Sequence, residues 1–148
     1  MILRKFYLAL YTLFFLGIPL AQGQSPILEV TTFSDIVTDS DNTVNATDVV
    51  VFTIKAKNIS NLALSSLTIS HTLKGINGSA LTLNSSPTFF SNSNASAAGS
   101  LAAGEIGTYI ATYTFNGSGV SAGGISLTVT GTASTPGNSN NVIDPSDD

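Results

Sequence analysis

Cysteine and tryptophan are absent from this chain of 148 residues, and histidine occurs once. Without cysteine there is no disulfide bond and no thiolate metal site. The single histidine, His71, leaves no set of imidazole ligands for zinc and no nucleophile motif to act with. These absences predict a protein that is not an enzyme and that uses no metal and no cofactor.

Charge is also scarce, since only 9% of the residues are charged. Two of the five cations, Arg4 and Lys5, stand at the start and precede an apolar run from Phe6 to Leu20 and a stretch of small residues. This three-part pattern is typical of a Sec signal peptide. The apolar run is shorter than the roughly 20 residues of a membrane-spanning helix. We therefore predict a signal-peptide helix in residues 1–23, cleavage after Gly23, and an extracellular or cell-surface location with no membrane span left.

The chain that remains after cleavage, residues 24–148, has three lysines against nine acidic residues. Such an acidic domain does not attract nucleic acid or an anionic membrane surface. Serine and threonine account for 37 of its residues. That composition suits short strands with one wet face better than long helices.

Apolar and polar residues alternate in four segments, residues 50–57, 67–73, 108–115 and 125–130. A period of two predicts antiparallel strands with one buried face. Weaker strands are predicted in residues 27–33 and in residues 81–83 or 88–90, with breaks rich in glycine, asparagine and serine between them. Six or seven such strands favour an all-β sandwich. The predicted core consists of Phe52, Ile54, Leu67, Ile69, Tyr109, Tyr113, Phe115, Leu127 and Val129.

The domain limits follow from the same pattern. The alternation that begins at residue 125 continues to Ala133, after which proline, glycine, asparagine, serine and aspartate predominate. We therefore predict a sandwich in residues 24–135 and, in residues 136–148, an acidic linker or the start of a following segment.

Four segments carry a resemblance to a known family: residues 48–58, 61–69, 101–115 and 128–133. The most specific piece is Leu101-Ala102-Ala103-Gly104-Glu105 ahead of a Thr-Tyr strand. In this order the segments resemble the conserved immunoglobulin-like repeat domains of bacterial surface proteins, especially of the flavobacterial type. The sequence departs from the family at residues 71–73, where Asp or Pro is usual. It also departs at residues 116–120, which replace a short helix-like stretch.

The resemblance implies an immunoglobulin-like antiparallel β-sandwich of about seven strands. It further implies a structural spacer or adhesin module in a larger bacterial surface protein, with neighbouring domains of the same polypeptide as partners and no activity of its own. Two alternatives remain open. One is a module that binds a cell-surface glycan or protein, and the other is a fimbrial-type subunit that polymerises by strand exchange.

Three local features are candidates for binding. The acidic turn Asp39–Thr43, with Asp48 nearby, has oxygen ligands that suit calcium, but no acidic residue closes the loop, which favours a solvated turn. His71 follows the apolar phase of its strand and is predicted to be half-buried near a strand end. In the pair Phe89 and Phe90 one ring must point away from the core of a strand, so this pair is the predicted contact for a partner.

Overall fold

The computed structural model describes residues 27–37 and 43–146. The predicted signal peptide and four of the five residues in the acidic turn Asp39–Thr43 lie outside these ranges. In chain order, the described elements are β1 (Leu28–Val37), β2 (Val49–Asn58), β3 (Ser65–Gly75), β4 (Ala80–Leu81), β5 (Ser85–Asn92), β6 (Ile106–Thr114), α1 (Gly117–Ser121), β7 (Ile125–Ser134) and β8 (Val142–Pro145).

The strands form two antiparallel sheets of four strands each. One sheet has the order β1-β2-β6-β5 and the other has the order β4-β3-β7-β8. When β4 is left out and the other seven strands are lettered A to G along the chain, the first sheet has the order ABED and the second the order CFG, as in the immunoglobulin fold. Strand β4 is an extra strand at the edge beside β3. The prediction of an all-β, immunoglobulin-like sandwich is confirmed.

The core lies between the inner faces of the two sheets. Strand β2 shows why, since every second residue from Val50 to Asn58 is buried while those between are less covered. Eight of the nine predicted core residues are buried, and Ile69 is partly buried and packs against them. The alternation in sequence therefore predicted the inner face correctly.

The sheet continues past residue 135, where the sequence pattern places the end of the domain. Residues Val142–Pro145 form β8, which pairs with β7 from Ala133 to Thr130. The side chain of Val142 is buried, and the Asp144 carboxylate accepts a hydrogen bond of 2.7 Å from the backbone N–H of Val30 on β1. Val142 and Ile143 are only two apolar residues among polar ones, which is too short a pattern to predict a strand from sequence. The strand forms because it pairs with the edge of β7.

Strands β1 and β8 run in the same direction. Gly131 of β7 lies beside Val30 and Leu28 at the start of β1, whereas Ile125 and Ile36 face one cleft at the far end. β1 is therefore antiparallel to β7, and so is β8. The chain enters the sandwich at one end through β1, and β8 heads toward the opposite end.

A short helix lies at Gly117–Ser121, in the segment that the sequence predicts to replace the family's helix-like stretch. Helix α1 begins after Asn116, whose side chain caps it by accepting a hydrogen bond from the N–H of Gly119. Gly119 is buried because the Tyr113 ring lies against it, and a β-carbon there would meet the Tyr113 hydroxyl. The expected replacement is therefore wrong, because this segment does form a turn of helix, which Asn116 caps and Tyr113 packs against.

Candidate functional site

The most buried charge in the described part of the chain is the carboxylate of Glu105, which has no exposed surface. Its Oε1 atom accepts hydrogen bonds from the backbone N–H groups of Asn94 (3.0 Å) and Ser96 (3.2 Å). Its Oε2 atom accepts from the Ser96 hydroxyl and the Ala102 N–H, both at 2.6 Å. Four donors from the described residues satisfy the carboxylate, which is the condition for burying a charge.

These contacts set the ionisation of Glu105. Burial alone acts to raise the pKa of the carboxyl group, because it disfavours the charged form. The hydrogen bonds from the Ser96 hydroxyl and from the Ala102, Ser96 and Asn94 N–H groups outweigh burial, so the pKa is lowered. Glu105 is therefore ionised at neutral pH and does not act as a proton donor there.

Asn58, at the end of β2, is the second fully buried polar residue beside this turn. Its side-chain amide donates to the carbonyl oxygens of Leu62, Leu101 and Ala102 at 2.6, 3.1 and 3.0 Å. Its backbone N–H donates to the Glu105 carbonyl, and its carbonyl accepts from the Gly104 N–H. Gly104 has a φ of +74°, a conformation that favours glycine.

Asn58 and Glu105 together hold two long loops against the end of the sandwich, residues 59–64 and 93–104. Each side-chain nitrogen and oxygen atom of the pair bonds to at least one backbone group of these loops, so the arrangement is a structural clamp. Three residues of the segment from Leu101 to Glu105 have a role in this clamp: Leu101 is buried and bridges to Leu64, Gly104 turns the chain, and Glu105 fixes the loop.

His71 is exposed and not half-buried as predicted. It has the inward phase of β3, but β4 pairs with β3 only at Leu73 and Lys74. In the described ranges no strand therefore covers the edge of β3 beside His71. The alternation along β3 predicts which way the His71 side chain points. Its burial also depends on a strand beside it, and the described residues supply none at this position.

The predicted contact pair lies on β5, an edge strand with two irregularities in its pairing. Phe90 is 71% exposed, while Phe89 is 39% exposed and packs edge-on against the Tyr109 ring at 5.8 Å. Tyr109 and Tyr113 are themselves buried core residues. Phe90 is thus the ring that points away from the core, and Phe89 belongs partly to it.

A cleft that sequence reasoning missed lies between the second half of β1 and the start of β7, and we call it the β1–β7 cleft. Its cavity measures about 430 Å³. Eight apolar side chains contribute to its lining, namely Ile36, Val44, Val50, Phe52, Ile76, Phe115, Val120 and Ile125. A second cavity of about 310 Å³ shares Ser34, Phe52 and Ile125 and extends the cleft toward Thr32 and Leu127.

The cleft opens to solvent through aliphatic side chains. Ile36 is 43% exposed, Val120 41% and Ile76 73%, and all three line it. No lining residue of either cavity is charged. The available signal in the sequence consists of Ile36, Ile76 and Val120, apolar residues in mostly polar or glycine-rich segments, but nothing in the sequence indicates that these three side chains meet.

Residues 27–37 and 43–146 contain neither a candidate metal site nor a candidate membrane-spanning helix. No group of three or more His, Asp or Glu side chains there could hold a metal ion. No helix in the same ranges is long and apolar enough to cross a membrane. Asp39 and Asp41 of the acidic turn lie outside the described residues, and the preference for a solvated turn over a calcium site there is a prediction from sequence.

No protein-family model, curated protein or solved structure matches this chain. The likeness to bacterial surface repeat domains therefore remains a resemblance in sequence. The immunoglobulin-like fold is assigned independently, from the order of the strands in the two sheets.

Proposed function

We propose that this chain is a non-catalytic structural module of an extracellular or cell-surface bacterial protein, where it spaces or presents neighbouring domains or assists adhesion. The observation that carries the proposal is the direction of the terminal strands: β1 and β8 are parallel, so the polypeptide enters at one end and heads for the other. A module with this path adds its own length between its neighbours.

The buried polar groups agree with a structural role. Asn58 and Glu105 are committed to loop backbone atoms, and their hydrogen-bonding capacity is used inside the fold. Many serine and threonine residues occupy the outward phase of the strands, which keeps the surface polar with few charges. Such a module needs a stable fold more than a reactive group.

The test is replacement of residues 24–148 in the protein as it occurs on the cell by an unrelated β-sandwich of similar length. The spacer role predicts that surface display and adhesion are both preserved. Loss of adhesion with display intact would contradict the spacer role and indicate that the domain itself binds a partner.

Partner binding is the second candidate, and the exposure of Phe90 favours it. A large aromatic face on an edge strand offers contact area to a glycan or a protein. The substitution Phe90→Ser tests it, because loss of adhesion by this variant with unchanged display assigns the contact to β5. Thr88→Ser on the same exposed strand is the matched control.

A further inference from the structure

Strand β8 covers only part of the outer edge of β7. Paired residues run from Ala133 to Thr130, and one more contact follows, in which the Ser146 N–H donates to the Val129 carbonyl at 2.7 Å. In the described residues β7 has β3 and β8 as its neighbours and no other strand. Among residues 27–37 and 43–146, no strand therefore pairs with the outer edge of β7 from Ile125 to Thr128.

The direction of the backbone groups along this edge follows from Val129. Its carbonyl accepts from the Ser146 N–H and its N–H donates to the Ser146 hydroxyl at 3.3 Å, so both groups face β8. Because backbone groups alternate from side to side along a strand, those of Leu127 and Ile125 face the same, uncovered edge. An edge of this kind is a ready template for another strand.

The ladder between β7 and β8 also has a defined stop. Val129 donates to the hydroxyl oxygen of Ser146 where a continuing ladder would use a carbonyl oxygen. Ser146 is the last described residue opposite β7, and it belongs to no strand.

The β1–β7 cleft lies directly beside this free edge. Residues paired directly across a ladder share one face of the sheet, so residues opposite Leu127 and Ile125 would point inward, two positions apart. A cavity of about 150 Å³ lined by apolar residues accommodates a benzene ring, so the 430 Å³ of the larger cavity accommodates more than one side chain. In the wall of the smaller cavity, the Thr32 hydroxyl is buried with no hydrogen-bond partner among the described residues.

We propose that the β1–β7 cleft is an acceptor site for an extended segment of another polypeptide, which adds a strand antiparallel to β7. Its occupant carries two apolar side chains two residues apart, opposite Leu127 and Ile125, with polar residues between them. Backbone hydrogen bonds to Leu127 and Ile125 give the direction and register, and the uncharged lining selects apolar side chains. The site goes beyond the spacer role and does not depend on it.

The first measurement is amide hydrogen exchange in the free protein. The N–H groups of Leu127 and Ile125 are expected to exchange at least tenfold faster than those of Val129 and Gly131, which face β8. Equal protection of all four amides would show that the edge is already covered and would overturn the proposal.

The second measurement uses a synthetic peptide of the order Lys-Thr-Ile-Thr-Ile-Thr-Lys. Binding is expected to slow exchange at Leu127 and Ile125 specifically. A peptide with the same composition in the order Lys-Ile-Ile-Thr-Thr-Thr-Lys lacks the alternation, and one with N-methylated isoleucines lacks the N–H donors. Both are expected to bind about tenfold more weakly or worse, since each lacks part of the ladder or of the apolar contact.

Substitutions locate the site. Ile36→Lys and Val120→Lys place a cation at the mouth of the cleft and are expected to weaken binding of the alternating peptide about tenfold. Ile143→Lys on β8 is the matched control, because Ile143 is 66% exposed and does not line the cleft. Unchanged denaturation midpoints show that the variants fold.

Three results contradict the proposal: no binding of the alternating peptide, equal binding of the N-methylated peptide, or equal binding to Ile36→Lys, Val120→Lys and the parent. Equal binding of the N-methylated peptide would reduce the cleft to a general apolar pocket. Protein dimers that form without peptide and protect Leu127 would show that a second copy supplies the strand, with the acceptor site itself upheld.

Discussion

Replacing Glu105 by glutamine tests whether the buried carboxylate holds the loop of residues 93–104 in place. The amide has one acceptor where the carboxylate has two. With its nitrogen at the Oε2 position, the Ser96 hydroxyl can turn and accept, but the Ala102 N–H then faces another donor. With its nitrogen at the Oε1 position, the N–H groups of Asn94 and Ser96 both lose their acceptor. The first orientation costs less, although it leaves two buried donors unpaired, the Ala102 N–H and the second amide hydrogen of the glutamine.

The magnitude follows from that count. Each unsatisfied buried donor costs about 1–3 kcal/mol, and the remaining hydrogen bonds lose the added strength of a charged acceptor. We expect Glu105→Gln to lower the free energy of unfolding by about 2–4 kcal/mol, a large share of the roughly 5–15 kcal/mol of a typical domain. Denaturant unfolding at neutral pH measures it as a lower midpoint with an unchanged slope.

The pH dependence gives an independent check. The folded pKa of Glu105 is lowered below the ordinary value of 4.5, so at pH values between the two the unfolded state holds a proton that the folded state does not. Stability therefore rises with pH in that interval. The contribution of the carboxylate is fully present above pH 4.5 and is lost as the pH falls through the folded pKa. The difference between parent and Glu105→Gln should shrink accordingly in acid.

Glu29→Gln is the matched control, because the Glu29 side chain is 47% exposed and lies 3.9 Å from the Lys57 amino group. An exposed pair of this kind contributes at most about 1 kcal/mol. If Glu105→Gln were no more destabilising than Glu29→Gln, or if its pH profile matched the parent's, the clamp would not contribute as argued.

Three further predictions use the same unfolding measurement or simple sequencing. Phe52→Ala removes a buried ring and should lower the free energy of unfolding by about 3–5 kcal/mol. Phe90→Ala should change that free energy little, because the Phe90 side chain is 71% exposed. Similar losses for the two variants would mean that the inward and outward faces of the strands are misassigned. Gly119→Ala should destabilise the domain by about 1–3 kcal/mol, because the new methyl group meets Tyr113. Gly117→Ala in the same helix has open space around the new methyl group and should be neutral or stabilising by up to about 1 kcal/mol. A stabilising Gly119→Ala would refute the close packing of Gly119 on Tyr113. Exported protein should begin at Gln24 by N-terminal sequencing, and material that keeps residues 6–20 would contradict cleavage after Gly23.

The parts of the fold that sequence predicted are those with a local cause. The alternation from Val50 to Lys57 depends only on which face of one strand is buried, and it identified the inner face of β2 correctly. The turn at Gly104 likewise has a local signal, since it requires a positive φ. Such features are readable because neighbours along the chain decide them.

The parts that were missed depend on distant residues. Glu105 resembles an ordinary surface acid until the loop of residues 93–104 folds over it and supplies its donors. The exposure of His71 depends on where β4 stops, and the cleft depends on where β8 stops. A single sequence contains no period or motif for the place at which a partner strand ends.

The unequal lengths of the two terminal ladders have a mechanical consequence. Because β1 and β8 are parallel, tension that draws the two chain ends apart loads both ladders in shear. β1 pairs with β2 over ten residues and β8 with β7 over four. The shorter ladder should therefore yield first, releasing residues 135–146 at roughly 3.3–3.6 Å per residue while the remaining sheets stay packed. The domain would then behave as a stiff body joined to a short extensible tether, and that first yielding would also uncover more of the β7 edge.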